Sequence, residues 1–223
     1  MVRMSTTHTL TPPVSGLHAS PPESLPFAPD VEIRAWLLER PQGNLLVYNA
    51  GTVADAAGFG DVGWVYLNHW HEAMFRLGRT VAALGDPYVV AHAADAAQVE
   101  RRSGIAPVTF DHAAGLGEGF ALLPIPGHTP GSTAFLWEHD GRRVLFSGDQ
   151  LWLRDGEWVA AVLDTSDRDA YVASLERLRE VEFDVLVPWA ASAGRPPYAL
   201  TGPDDARARL DEVIARVRAG ESS

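Results

Sequence analysis

Cysteine and lysine are both missing from this chain of 223 residues. Without cysteine there is no disulfide, no thiolate nucleophile and no Cys-ligated zinc or iron–sulfur centre, and redox usage gives no compartment. Without lysine there is no Schiff base, no P-loop lysine and no lysine general base; all 18 basic residues are arginine. Polar chemistry here has to run on His, Asp, Glu, Ser, Thr, Tyr, Arg or a bound metal. Long apolar runs are absent too. No stretch approaches the roughly 20 residues of a membrane span, and no apolar run of about 7–15 residues follows a charged start as a secretory signal requires. These absences lead to the expectation of a cytoplasmic protein without a membrane partner. Positive charge is scarce: 18 basic against 29 acidic residues give a net charge of −11. Such a field repels polyphosphate and argues against nucleic acid. A small molecule is the expected partner, and a homodimer stays open.

The remaining composition, 46% hydrophobic and 21% charged, is that of a globular chain long enough to bury a large core. Residues 1–27, rich in Ser, Thr and Pro, read as a flexible or surface-draped arm, with His8 and His18 solvated. Residues 28–219 read as one domain and 220–223 as a tail. Within the domain the patterning predicts strands at 31–38, 45–48, 64–67 and 88–91, a helix around 71–84 and another over Ala93–Ser103. Asp140-Gly141, flanked by Thr133–Trp137 and Val144–Ser147, and Asp155-Gly156, flanked by Gln150–Leu153 and Glu157–Val162, each give the signal of a tight hairpin with positive φ. Thr165–Arg168 opens a helix, Phe183–Pro188 is a last apolar strand, and Leu210, Val213, Ile214 and Val217 mark an amphipathic helix over 203–219.

Three features carry chemistry. His69-Trp70-His71 follows the apolar run Trp64–Leu67, and in extended backbone residues two apart point to one side, so the two imidazoles converge. His128 sits in Pro126-Gly127-His128-Thr129-Pro130-Gly131-Ser132, held between turn formers and approachable through glycine. Asp149 ends Phe146-Ser147-Gly148-Asp149, just past a buried strand. Imidazole nitrogen and carboxylate oxygen are donors that a borderline divalent ion prefers. By the same alternation Glu72 points away from the histidines and reads as a surface or helix-start acid. His92 reads as a structural hydrogen-bonding residue, His112 and His139 as exposed. Trp152, Trp158 and Trp189 could line a pocket, an interface or the core. Gly58-Phe-Gly60-Asp-Val-Gly63 matches G-x-G-x-x-G but runs into a strand rather than a helix, so it does not read as a dinucleotide site.

The order of His-x-His, Pro-Gly-His-Thr-Pro-Gly-Ser and Ser-Gly-Asp, each at a strand end, resembles the metallo-β-lactamase superfamily over about residues 28–219. The resemblance implies an α/β fold, a four-layer αββα sandwich with a metal centre at one edge between the sheets. It assigns His69, His71, His128 and Asp149 as metal ligands, with Asp149 also catalytic. The family's second-metal ligands fall on Ala73, Met74 and Ala190, which offer no hard donor, so the chain is a degenerate member expected to hold one divalent metal, zinc first and iron second. The implied function is hydrolysis of an ester, thioester or related bond by metal-bound hydroxide. A catalytically inactive member that binds a ligand or partner is the first alternative. A mononuclear iron dioxygenase using two histidines and Asp149 is the second.

Overall fold

The structure, a computed structural model, describes residues 11–56 and 58–221. Two six-stranded sheets face each other. The first runs, in spatial order, Leu17–Ala19, Trp36–Leu38, Asn44–Val47, Val62–Tyr66, Tyr88–His92 and Val108–Phe110. It is antiparallel at its start and parallel from Asn44–Val47 onward. The second runs Ala199–Leu200, Val185–Pro188, Arg142–Gly148, Thr133–His139, Phe120–Pro124 and Ala114–Gly115. A five-stranded third sheet collects strands that pass on from the other two, among them Ala28–Ile33 and Ala190–Ser192.

Side-chain alternation builds the layers. Along Thr133–His139 and Arg142–Gly148, Phe135, Trp137, Val144 and Phe146 point into the core between the sheets. Ala134, Leu136 and Leu145 point the other way, onto a second core. Helices α1 (Leu77–Ala83) and α2 (Ala93–Ser103) supply Leu77, Val81 and Val99 to the first core. Helices α3 (Arg168–Arg179) and α4 (Pro203–Arg218) cover the far face with Leu175, Leu178, Leu210 and Val213. The result is helix, sheet, sheet, helix, the layering expected of the αββα class. Among the described residues no helix is long and apolar enough to cross a membrane.

Several local expectations meet the structure closely. Asp140 and Gly141 have φ of 49° and 70°, and Asp155 and Gly156 have 52° and 93°, the left-handed pairs that primed hairpin turns require. Helix α2 covers the expected residues; the His92 imidazole accepts from Ala94 N at 3.2 Å and Gly104 closes it at φ 74°. The glycine-rich match at 58–63 does enter a strand.

Others change. The helix expected over 71–84 is split: Trp70–Met74 is a 3-10 turn, Arg76 adopts φ 54°, and only Leu77–Ala83 is α-helical. The arm expected through residue 27 contributes two short strands, Leu17–Ala19 beside Trp36–Leu38 in the first sheet and Glu23–Leu25 beside Ala28–Ile33 at the edge of the third. Leu17 is buried there, while His18 stays at the surface near Glu39; His8 lies outside the described residues. Trp158 and Trp189 are buried, which makes them core rather than pocket lining. His112 is exposed, whereas His139 is half-buried and stacks on Trp137.

Candidate metal centre

The candidate ligands sit on loops that leave the ends of strands in both main sheets. His69 follows Val62–Tyr66 in extended backbone (φ −156°, ψ 165°). His71 lies in the 3-10 turn that begins immediately afterwards, so the turn, and not strand pleating, brings the two rings together. Their centroids are 5.0 Å apart, and each lies 4.8–5.0 Å from the His128 ring. One ligand atom from each of the three falls within 4.8 Å of the others, the one such metal-competent group found among the described residues. His69 and His128 are buried and His71 is half-buried.

Hydrogen bonding fixes which nitrogen faces inward in two of the three rings. His69 Nδ1 lies 2.9 Å from Asn68 Oδ1 and 3.3 Å from Glu72 Oε1, so that nitrogen carries the hydrogen and Nε2 is left facing the site. His128 Nδ1 donates to the Ala161 carbonyl at 2.7 Å, which leaves its Nε2 lone pair 3.0 Å from His71 Nδ1. Bonds of this kind, made by the nitrogen that faces away from the site, are how proteins aim imidazole lone pairs at a metal. Asp149 stands beside two of the rings, with Oδ2 3.4 Å from His69 Nε2 and 3.6 Å from His128 Nε2. Two tyrosines hold its turn: Tyr48 Oη accepts from Gly148 N at 2.8 Å and Tyr171 Oη donates to the Asp149 carbonyl at 2.9 Å.

His69 Nε2 and Asp149 Oδ1 are buried and lack any hydrogen-bond partner among the described residues. Orphaned buried polar atoms are costly, and a divalent cation between them and the other two imidazoles would satisfy both. The donor set fits such an ion. The positions that the resemblance gives to a second ion hold no such donor: Ala73 and Ala190 are buried and apolar, and Met74 is exposed.

Glu72 departs from its expected place. It does open the 3-10 turn, but it is fully buried. Its carboxylate accepts from Asn49 N (2.8 Å), Asn68 N (2.8 Å) and His69 N (3.2 Å). Strand alternation ends at His69, so the parity that put Glu72 on the surface no longer applied. A second buried carboxylate, Asp95 on α2, also reaches these loops and carried no sequence signal, because its partners lie 25 to 36 residues away.

The electrostatics of the metal-free centre follow from this packing. Burial works to lower His69, but the Asp149 and Glu72 carboxylates outweigh it and push the imidazole up to about 10. Burial, reinforced by the positive His69, lowers His71 to about 3 and His128 to about 4. Burial opposes ionisation of Asp149, yet His69 and its neighbours bring it below its ordinary value. At neutral pH His71 and His128 are therefore ready donors while His69 carries a proton that a metal must displace. Metal binding near pH 7.5 is expected to release about one proton, and affinity to rise about tenfold per pH unit between roughly pH 5 and 9. Calorimetric titrations in buffers of different ionisation enthalpy measure this directly; a proton count near zero contradicts a protonated His69 in the metal-free centre.

Three solved structures share the architecture. The metallo-beta-lactamase FIM-1 from Pseudomonas aeruginosa, in its mono-zinc form, superposes with a TM-score of 0.67 at 17% identity, covering 95% of each chain. An archaeal metallo-beta-lactamase superfamily protein from Sulfolobus tokodaii gives 0.62 at 16% identity, covering 90% of this chain and 86% of that one. A metallo-beta-lactamase family protein from Thermus thermophilus gives 0.62 at 20%, covering 92% and 80%. These likenesses establish the fold. No curated protein matches. The family described as Metallo-beta-lactamase superfamily matches residues 50–190, a span that holds His69, His71, His128 and Asp149 together, and on that match the chain belongs to this superfamily.

Proposed function

We propose that the protein is a metal-dependent hydrolase of small molecules, with one divalent ion, zinc or failing that iron, held by His69, His71, His128 and Asp149. The observation that carries this reading is the convergence of three imidazoles whose outward nitrogens are already bonded in two cases, beside a carboxylate with an orphaned oxygen. A divalent ion bound there supplies Lewis acidity and an activated water for attack on an ester, thioester or related bond. The chain's own groups do the rest. Asn68 and Glu72 hold the His69 tautomer, and the Ala161 carbonyl holds that of His128. Asp149 Oδ1, free of other bonds, is placed to orient the ion or take a proton.

Ala73, Met74 and Ala190 favour a second reading, a ligand-binding member that catalyses nothing. Metal analysis of protein purified without added metal separates the two. The hydrolase reading expects near-stoichiometric zinc or iron, with hydrolysis of a panel of chromogenic esters and thioesters that a chelator removes and metal restores. Less than roughly a tenth of an equivalent, with no gain after zinc or iron is added, would sink it. Stoichiometric iron with oxygen consumption and no hydrolysis would replace it by oxygenase chemistry.

A further inference from the structure

We infer that Asp95 is a positioning residue that clamps the His69–His71 loop to the His128 loop and so sets the grip on the metal. This rests on the metal-centre reading above and extends it to a residue that touches none of the ligating atoms. Asp95 sits in the first turn of α2 and is 1% exposed. Its Oδ2 accepts from Trp70 N at 3.0 Å, the amide between the two ligands of the first loop. The same oxygen accepts from Thr129 Oγ1 at 2.7 Å, and Oδ1 accepts from Gly131 N at 2.9 Å, both just past His128. One rigid carboxylate on a helix thus ties down the two chain segments that supply all three imidazoles.

The arrangement is costly unless the donors are there, since an ionised carboxylate buried without partners is strongly disfavoured. Three donated hydrogens and the positive end of α2 offset that cost. Helix packing alone would be served better by an apolar residue at this position. The glycine at 131 belongs to the same device. A Cβ there would lie 2.6 Å from Asp95 Cγ and 2.8 Å from Oδ1, so the carboxylate takes its seat only because residue 131 has no side chain. Gly131 has no positive φ, and alanine there meets no backbone objection.

The test loads the full-length, metal-free protein with cobalt(II) alone. Asp95→Asn removes acceptor capacity, Gly131→Ala displaces the carboxylate while keeping every donor, and Thr129→Val deletes one of the three donors. Groups bonded to metal ligands themselves contribute about 10–100-fold in affinity, and a clamp on the adjoining residues is expected to fall at the lower end of that range. The expected result is a loss of that size in Asp95→Asn and Gly131→Ala, a smaller loss in Thr129→Val, and a changed visible cobalt spectrum in each. Wild-type affinity and spectrum in the variants that fold, with only the metal-free melting temperature lowered, would overturn the clamp and leave Asp95 a purely structural residue. Thr129→Val, the mildest change, keeps the test available if the other two fail to fold. A wild-type protein that takes up no cobalt overturns the metal-centre reading instead. The ring ¹⁵N resonances of His71 and His128, compared between metal-free wild type and variants, then decide the clamp: displaced for both rings if it holds, unmoved if it does not.

Discussion

Replacing His128 by alanine is expected to abolish metal retention while leaving a folded protein. His128 is buried, its Nδ1 is committed to the Ala161 carbonyl, and its Nε2 faces both His71 and Asp149. Without it the centre keeps two imidazoles and one carboxylate, and His69 retains its proton against Asp149 with less competition. A four-ligand zinc site yields roughly 10–16 kcal/mol in favourable cases, so losing one ligand costs on the order of 3 kcal/mol, more than a hundredfold in affinity. Competition with a chromophoric chelator measures the change, and circular dichroism checks the fold. Retention of one equivalent at wild-type affinity would show that the ion, if any, sits elsewhere.

Gly127→Ala is expected to produce a large loss of stability. Gly127 has φ 143°, a conformation that side chains rarely adopt. A Cβ there would approach Tyr171 N to 2.6 Å and Tyr171 Cβ to 2.7 Å, in the first turns of α3. Neither side can give way cheaply. The Gly127 carbonyl accepts from Asp167 N, the cap of α3, and Tyr171 is itself buried with its hydroxyl bonded below Asp149. Backbone strain and overpacking each cost about 1–3 kcal/mol, giving roughly 3–5 together. For a chain of this size that lowers the melting temperature by about 10 °C. A thermal scan showing a change of under about 2 °C would contradict the packing described. His128 is the next residue, so weakened metal uptake should accompany the loss.

Much of this architecture is legible in the residues because local chemistry and global packing agree. The Asp-Gly turns declare themselves through the one backbone conformation they favour. The runs Thr133–Trp137 and Val144–Ser147 read as strands of the Asp140-Gly141 hairpin, but they are apolar on both faces, so the residues alone do not show that each face packs on a different core. His69, His71, His128 and Asp149 stand out because each follows an apolar strand and each is a metal donor. Legibility fails where periodicity is interrupted or partners are distant. Glu72 was misplaced because a 3-10 turn replaces the strand at that point. Asp95 lies in an Ala-rich helix whose pattern says nothing of loops reached only through the fold. The strands at 17–25 were hidden in a Pro- and Ser-rich stretch, since they pair at sheet edges and need few apolar residues to do so. The sequence leaves Trp189 open between pocket, interface and core; in the fold it packs edge-on against His69 and Phe75 and donates Nε1 to the Asn49 carbonyl.

The four candidate ligands are shared between the halves of the molecule: His69 and His71 leave the first sheet, Asp149 leaves the second, and His128 lies on the loop joining two of its strands. A cation seated there would act as a rivet across the seam. During synthesis the four groups can come together only after the residues through Asp149 have been made and the two halves have closed on each other. Such a cation is therefore expected to load late, because a misdocked half presents no complete seat to it.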